Sequence, residues 1–219
     1  MSGADLRHVE SWLFDLDNTL YPFECGLSAL MEPRITDYVT RVTGLGRLEA
    51  HALQKRYLTE HGLTLKGLML HHGVDPDDYH AQFAEVSLAC LEPDPELRAG
   101  LARLPGRRLV FTNADAGHAA RVLARLALSD LFDDVFHIGS AAFEPKPSTV
   151  AFERIISHHG LRPAQTAFFE DAEANLRPAA QMGMTTILVG ARAHVSEYVN
   201  FSAPSLGIFL RDARVKEAA

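Results

Sequence analysis

The run Trp12-Leu13-Phe14-Asp15-Leu16-Asp17-Asn18-Thr19-Leu20 restricts the fold more than any other stretch of the chain. Its first half, Ser11 to Leu16, is an apolar run bounded by polar residues. It reads as a short strand of a sheet covered on both faces. The strand ends in two aspartates one residue apart, followed by Asn18-Thr19, and Tyr21-Pro22 stops the chain from continuing in that direction. Where the strand gives way to a loop, one carboxylate can face a ligand while the other turns aside. Ligands of open α/β sheets sit at the carboxyl ends of strands. Two acids there, straight after a hydrophobic strand, are costly unless they bind a cation or do chemistry. Taken alone, Asp17-Asn18 also fits plain turn punctuation.

After Pro22 the texture changes. From about Cys25 to Leu91 apolar residues recur at three and four, as in Leu27, Leu30, Met31, Ile35 and Tyr38, then over Leu48–Leu58 and Tyr79–Leu91. That spacing predicts a block of amphipathic helices, broken at Gly44-Leu45-Gly46, Gly62, Gly73 and Asp75-Pro76. His71-His72-Gly73 and His158-His159-Gly160 place histidines in a last helical turn before a glycine cap. There they complement the helix dipole, and neither pair has metal-ligand partners at usable sequence spacing.

Glu92-Pro93-Asp94-Pro95 closes the block, and strands then alternate with helices. Strands are expected at Arg108–Thr112, Val135–Ile138, Thr166–Phe169 and Thr185–Val189. Helices are expected at Glu96–Leu104, Ala116–Leu126, Ser148–His158 and Asn175–Met182. This is the pattern of an α/β fold: a doubly wound, mainly parallel sheet, Rossmann-like, with an α-helical insertion after the first strand. The expected division is a core of residues 1–21 and 93–219 and a helical cap of residues 22–92. The tail from Ala191 carries little pattern, and Asp212 to Ala219 is expected to fray.

A formal net charge of -7 argues against a general nucleic-acid or anionic-membrane binder. Nothing approaches the roughly 20-residue apolar run of a membrane span, and the polar start is no signal peptide. Cys25 and Cys90 form neither a disulfide framework nor a metal-binding spacing. A cytoplasmic protein, monomer or homodimer, is expected.

Each expected strand delivers polar groups to one edge of the sheet. The first ends in Asp15 and Asp17, the second in Thr112-Asn113, and a later one in Glu170-Asp171. Phe143-Glu144-Pro145-Lys146-Pro147 holds a lysine between prolines. Singly these have ordinary explanations: a helix N-cap for Thr112-Asn113, a solvated loop for Lys146, a helix-entry acid pair for Glu170-Asp171. Together they make a site for a hard cation and a phosphate. Carboxylates and carbonyls suit Mg²⁺, while Thr112 and Lys146 offer a neutral donor and a positive charge.

In this order and on these elements, Asp15-Leu16-Asp17-Asn18-Thr19, Thr112-Asn113, Lys146 and Glu170-Asp171 resemble the four motifs of the haloacid dehalogenase-like hydrolase superfamily. Phe-Asp-Leu-Asp-Asn-Thr-Leu-Tyr-Pro, Phe-Thr-Asn with His118-Ala-Ala-Arg-Val-Leu downstream, Phe132-Asp133 and Pro145-Lys146-Pro147-Ser148 are similar to its branch of pyrimidine 5′-nucleotidases. The resemblance implies a Mg²⁺-dependent phosphomonoesterase acting on a small-molecule phosphate ester. Asp15 would be the nucleophile and Asp17 the general acid and base. Thr112, Asn113 and Lys146 would bind the transferring phosphoryl group. Asp15, the Asp17 carbonyl and Asp171 would hold the metal, with Glu170 reaching it directly or through water and Asn175 orienting Asp171 or a metal-bound water. Tyr21 and Phe23 would stack on a base or pack the hinge.

Asp17 favours phosphoryl chemistry, because dehalogenases of the superfamily lack the second aspartate; a halide leaves unprotonated. The same core also suits a sugar-phosphate or other metabolite phosphatase. Another class to weigh is a phosphoacceptor signalling module or a non-catalytic phosphate-binding protein. The helical insertion and the Asp-x-Asp spacing speak against the former, and the intact set of core residues against the latter.

Overall fold

The computed structural model describes residues 4–216, so the expected fraying is answered only up to Lys216; residues 217–219 lie outside the described part. Six strands form one sheet: β1 (Ser11–Phe14), β2 (Arg107–Phe111), β3 (Asp134–Phe136), β4 (Thr166–Glu170), β5 (Thr185–Val189) and β6 (Phe201–Ala203). Their spatial order is β3-β2-β1-β4-β5-β6, and every neighbouring pair is parallel. β1 is therefore central, with the chain winding to one side through β2 and to the other through β4. This is the expected doubly wound sheet. Its switch point lies at the carboxyl end of β1, where open α/β sheets bind ligands.

The strands are buried on both faces, and alternate side chains divide between two apolar clusters. Trp12, Phe14, Val110, Phe169 and Ile187 belong to one, Leu13, Leu109, Phe111, Phe168 and Leu188 to the other. Phe14 stacks on Phe169 at 4.8 Å between centroids, fixing the register of β1 against β4. Helices α5 (Pro95–Ala102), α6 (Ala116–Arg125) and α9 (Leu206–Asp212) join the first cluster; α7 (Thr149–His159) and α8 (Glu173–Gln181) cover the second. The labels α1 to α4 belong to the insertion between β1 and α5: α1 (Leu27–Thr43), α2 (Arg47–His61), α3 (Thr64–His72) and α4 (Pro76–Ala81). Among the described residues, no helix is long and apolar enough to cross a membrane.

Both histidine pairs stand in a last helical turn before a left-handed glycine. The N–H of Gly73 caps Leu68 and Met69, and that of Gly160 caps Ile156 and Ser157. The fold nevertheless brings Asp134 to the second pair, with its Oδ2 3.4 Å from His159 Nε2. Sequence spacing gave no sign of this, because the partner comes from a neighbouring strand. Cys25 and Cys90 are free thiols.

Two expectations need correction. The helix expected over Tyr79–Leu91 stops at Ala81. Beyond it the carbonyls of Phe83 and Val86 accept hydrogen bonds from Arg121 and that of Leu88 from Arg125, both on α6. Long-range cationic donors replace the helical ladder there. The tail is also ordered further than expected: β6 and α9 complete the sheet and its first face. Arg214 N–H then bonds the Ala4 carbonyl while its own carbonyl accepts from Leu6 N–H.

Candidate active site

Three adjoining strands deliver the site. Asp15 follows β1 and extends its ladder by one bond, its N–H donating to the Phe169 carbonyl. Thr112 follows β2 in the same way, bonded to the Phe136 carbonyl, and Glu170 is the last residue of β4. Next to Asp17, Asn18 takes a left-handed conformation (φ 65°), which asparagine tolerates better than most side chains and which turns the chain off the strand. The ends of β1, β2 and β4, the α6 N-terminus and the loop bearing Lys146 enclose a cavity of about 260 Å³. Asp15, Asp17, Thr112, Asn113, Lys146, Glu170, Asp171 and Asn175 all line it. These eight residues are thus brought to one place, whereas Tyr21 and Phe23 are not part of this lining.

Lys146 is 2% exposed, unlike the solvated loop lysine that its sequence context allowed. Its ammonium donates to Asp15 Oδ1 (2.7 Å), Glu170 Oε2 (2.7 Å) and the Phe111 carbonyl (2.8 Å), so all three protons are engaged. Asn113 fixes the same loop: its Nδ2 donates to the Lys146 carbonyl, and its Oδ1 accepts from the Lys146 N–H. The Asn113 side chain is therefore a support for Lys146. The N-cap of α6 is Asp115 instead, which accepts the His118 N–H.

Two buried carboxylates share this one ammonium. Burial, followed by the charge of Glu170, pushes Asp15 up to about 7 against the pull of Lys146. Burial likewise pushes Glu170 up to about 7, with the nearby charge of Asp171 adding to it against Lys146. Burial raises Asp171 as well. Burial alone would lower Lys146, but the charges of Asp15 and Glu170 outweigh it and hold the ammonium protonated. Asp15, Glu170 and Asp171 each offer a carboxylate oxygen, all within 4.8 Å of one another. An all-oxygen, excess-negative set of this kind fits a hard divalent cation, which would offset the crowding that keeps these pKa values high.

Asp17 differs from its neighbour. Burial would raise it, yet the hydrogen bond and charge of His118, with a hydrogen bond from Tyr21, bring its carboxyl below the usual range. Sequence alone gives neither residue a role on Asp17. His118 stands there only as part of a branch motif, and its place one turn into the helix that follows Thr112-Asn113 is the one signal. Tyr21 is buried in the core with its hydroxyl on Asp17. Phe23 is 63% exposed and, with Tyr21, borders a separate cavity of about 820 Å³ beyond Asp171. Asn175 lines the site, but among the described residues its side chain makes no hydrogen bond to Asp171.

The fold and cleft define an α/β protein with an acidic, lysine-braced pocket at the switch point of its sheet. The chain belongs to the haloacid dehalogenase-like hydrolases, whose family model matches residues 12–183. It is 31% identical over 193 residues to phosphate metabolism protein 8 of Saccharomyces cerevisiae, a match that covers 81% of this chain and 60% of that protein. The chain therefore spans less than two thirds of that relative's length. It is 22% identical over 210 residues to a phosphoglycolate phosphatase of Pectobacterium atrosepticum, covering 93% of this chain and 89% of the relative. The crystal structure of CbbY from Rhodobacter sphaeroides in complex with phosphate shares the fold with a TM-score of 0.62 at 21% identity, over 91% of this chain and 95% of that one.

Proposed function

We propose that the protein is a Mg²⁺-dependent phosphomonoesterase that hydrolyses a nucleoside 5′-monophosphate, a pyrimidine nucleotide for preference. The observation that carries the chemistry is the pair Asp15 and Asp17, one residue apart at the end of the central strand, with different surroundings. Asp15 is fixed by Lys146, which leaves it suited to in-line attack on phosphorus. The bond from its carboxylate oxygen to phosphorus forms as the ester bond to the leaving oxygen breaks. Against burial, His118 and Tyr21 favour the anion of Asp17, so in this reading the productive complex is the one in which Asp17 has taken up a proton. It gives that proton to the leaving oxygen and later takes one from the water that hydrolyses the aspartyl-phosphate. Thr112 and the Asn113 backbone face the transferring phosphoryl group. Asp15, Asp171 and the Asp17 carbonyl would hold Mg²⁺, with Glu170 beside them. When bound, the cation supplies charge neutralisation between the anionic nucleophile and the anionic ester.

Residues 22–92 act in this reading as a cap over the core formed by residues 1–21 and 93–219. The cap side of the cavity is lined by Met31, Ile35, Leu63, Tyr79, His80 and Phe83. Among the described residues, Lys146 is the one lysine or arginine in that lining, and its donors are already engaged. An apolar, partly aromatic wall whose one histidine, His80, is pushed toward its neutral form by burial favours a neutral, flat leaving group. It disfavours the carboxylate of phosphoglycolate and the hydroxyl-rich face of a sugar.

The test is phosphate release from UMP, CMP, purine nucleotides, sugar phosphates and phosphoglycolate, with Mg²⁺ and with chelator. Metal-dependent release, fastest with UMP or CMP, is expected. A preference for sugar phosphates or phosphoglycolate would discard the nucleoside assignment. No turnover of any ester by the folded, Mg²⁺-supplied protein would discard the phosphatase.

A further inference from the structure

Asp17 is held by one oxygen only. The Tyr21 hydroxyl donates to its Oδ1 at 2.5 Å, and His118 Nε2 meets the same Oδ1 at 2.8 Å. Both partners are buried. His118 is 5% exposed, and its backbone N–H is tied to the N-cap side chain of Asp115 at 3.0 Å. Tyr21 is equally buried, in the chain that leaves β1 for the helical insertion. The other oxygen, Oδ2, has no hydrogen bond among the described residues, and Asp17 and His118 both line the cavity that holds Asp15 and Lys146.

The geometry has a chemical consequence. Burial alone would lower His118, but the hydrogen bond and charge of Asp17 outweigh it and favour its protonated form. With Nε2–H donating, Oδ1 accepts two donors and has no room for a proton of its own; a protonated Asp17 then carries its hydrogen on Oδ2. Rotation of the carboxyl group, which would exchange the two oxygens, breaks both bonds at once. One donor comes from α6 in the core and the other from the strand-to-insertion linker, so the plane of the carboxylate is defined from two independent elements.

We propose that Tyr21 and His118 are positioning residues for proton transfer. They clamp Asp17 Oδ1 so that Oδ2 alone gives the proton to the leaving oxygen and takes it back from the attacking water. This rests on Asp17 acting as the general acid and base. The role requires a transferable proton held within hydrogen-bond reach of the leaving oxygen, and a loosely oriented carboxyl forfeits part of a contribution of about 10²–10⁴-fold.

The test uses two substrates that differ in their need for that proton. The phenolate of 4-nitrophenyl phosphate leaves readily unprotonated, whereas the alkoxide of a nucleoside 5′-monophosphate does not. The quantity to read is kcat/KM, which covers the steps through phosphoryl transfer to Asp15 and is blind to hydrolysis of the aspartyl-phosphate. Tyr21→Phe and His118→Leu are expected to change the ratio of kcat/KM for the two substrates by about 10- to 100-fold against the nucleotide. His118→Gln, which keeps an N–H donor, should recover part of that shift. A purely structural role for either side chain would reduce the active fraction and strike both substrates alike, so an unmoved ratio in well-folded variants overturns the proposal. Asp17→Asn separates this failure from that of the underlying mechanism. A ratio shifted in Asp17→Asn but unmoved in the other two variants removes the clamp alone. A ratio unmoved in all three removes the general acid, and the clamp with it.

Discussion

Lys146 Nζ lies 2.7 Å from Asp15 Oδ1 and at the same distance from Glu170 Oε2, all three side chains being buried. One ammonium thus serves two carboxylates, and the neighbouring Asp171 adds a third acid with no second lysine or arginine in the cavity lining. Such a cluster is poorly balanced until something positive joins it. The imbalance links the stability of the site to its chemistry, and the substitutions and conditions below act on it.

Removing the lysine should cost both. Lys146→Ala leaves Asp15 and Glu170 buried without a counter-charge, and breaking a buried pair in this way typically costs about 3–5 kcal/mol. Both carboxylates are already pushed up to about 7, so protonation absorbs part of the cost in acid. Denaturant unfolding should therefore show a larger loss at pH 8 than at pH 6, together with loss of turnover. Equal stability losses at the two pH values would mean that Lys146 does not balance these acids.

Asp15→Asn should behave oppositely in stability. The amide oxygen can still accept from Lys146, while the repulsion with Glu170 is removed. Turnover is expected to fall by at least ~10³-fold, as for loss of a nucleophile, with a melting temperature at pH 8 no lower than that of the parent protein. Near-normal phosphate release by the folded variant would sink the assignment of Asp15 as nucleophile.

The parts of this picture that could be read from sequence are those with local causes. The run into Asp15 and Asp17 announces its own strand and its own end, and the alternation from Glu96 onward sets the sheet. Glycines 73 and 160 mark their helix ends without outside help. The missed parts have distant causes. The chain after Ala81 has helical spacing, but Arg121 and Arg125 take its carbonyls from another element. Lys146 is legible as a site residue, but its bonds to Asp15 and Glu170 are not, because those partners lie 131 and 24 residues away in sequence. The hold of His118 on Asp17 spans 101 residues. β6 and α9 are short, and their apolar residues acquire a period only once the sheet edge is there to cover.

The packing of the insertion offers a test independent of catalysis. A Cβ at Gly67 on α3 would lie 2.3 Å from Cγ of Tyr57 on α2, and the tyrosine is itself buried, with its hydroxyl on His72 Nε2. No small adjustment relieves a ring at that distance, so Gly67→Ala must push α2 and α3 apart. Overpacking of this kind costs about 1–3 kcal/mol, and each kcal/mol lowers the melting temperature by roughly 2–4 °C in a chain of this size. A thermal melt that leaves the midpoint in place would show that the two helices do not approach as closely as this.

The last prediction concerns the cation. Asp15 and Glu170 have folded-state pKa values raised to about 7, above the ordinary carboxylate range of the unfolded chain. The folded protein consequently binds more protons than the unfolded one between that range and about 7. The stability these groups contribute is fully present below the unfolded pKa and is lost as pH rises through about 7. Chelator-treated protein should therefore melt at progressively lower temperature from about pH 5 to pH 8, with these two groups as the source. A divalent cation binds the deprotonated carboxylates and competes with their protons, so its stabilising effect has the opposite slope. Added Mg²⁺ should raise the melting temperature more at pH 8 than at pH 5.5, and the gap between chelated and Mg²⁺-loaded protein should open across pH 7. Asp15→Asn should narrow that gap by removing both a ligand and a titrating group. Melting curves on which Mg²⁺ has the same effect at both pH values would place the cation away from Asp15, Glu170 and Asp171.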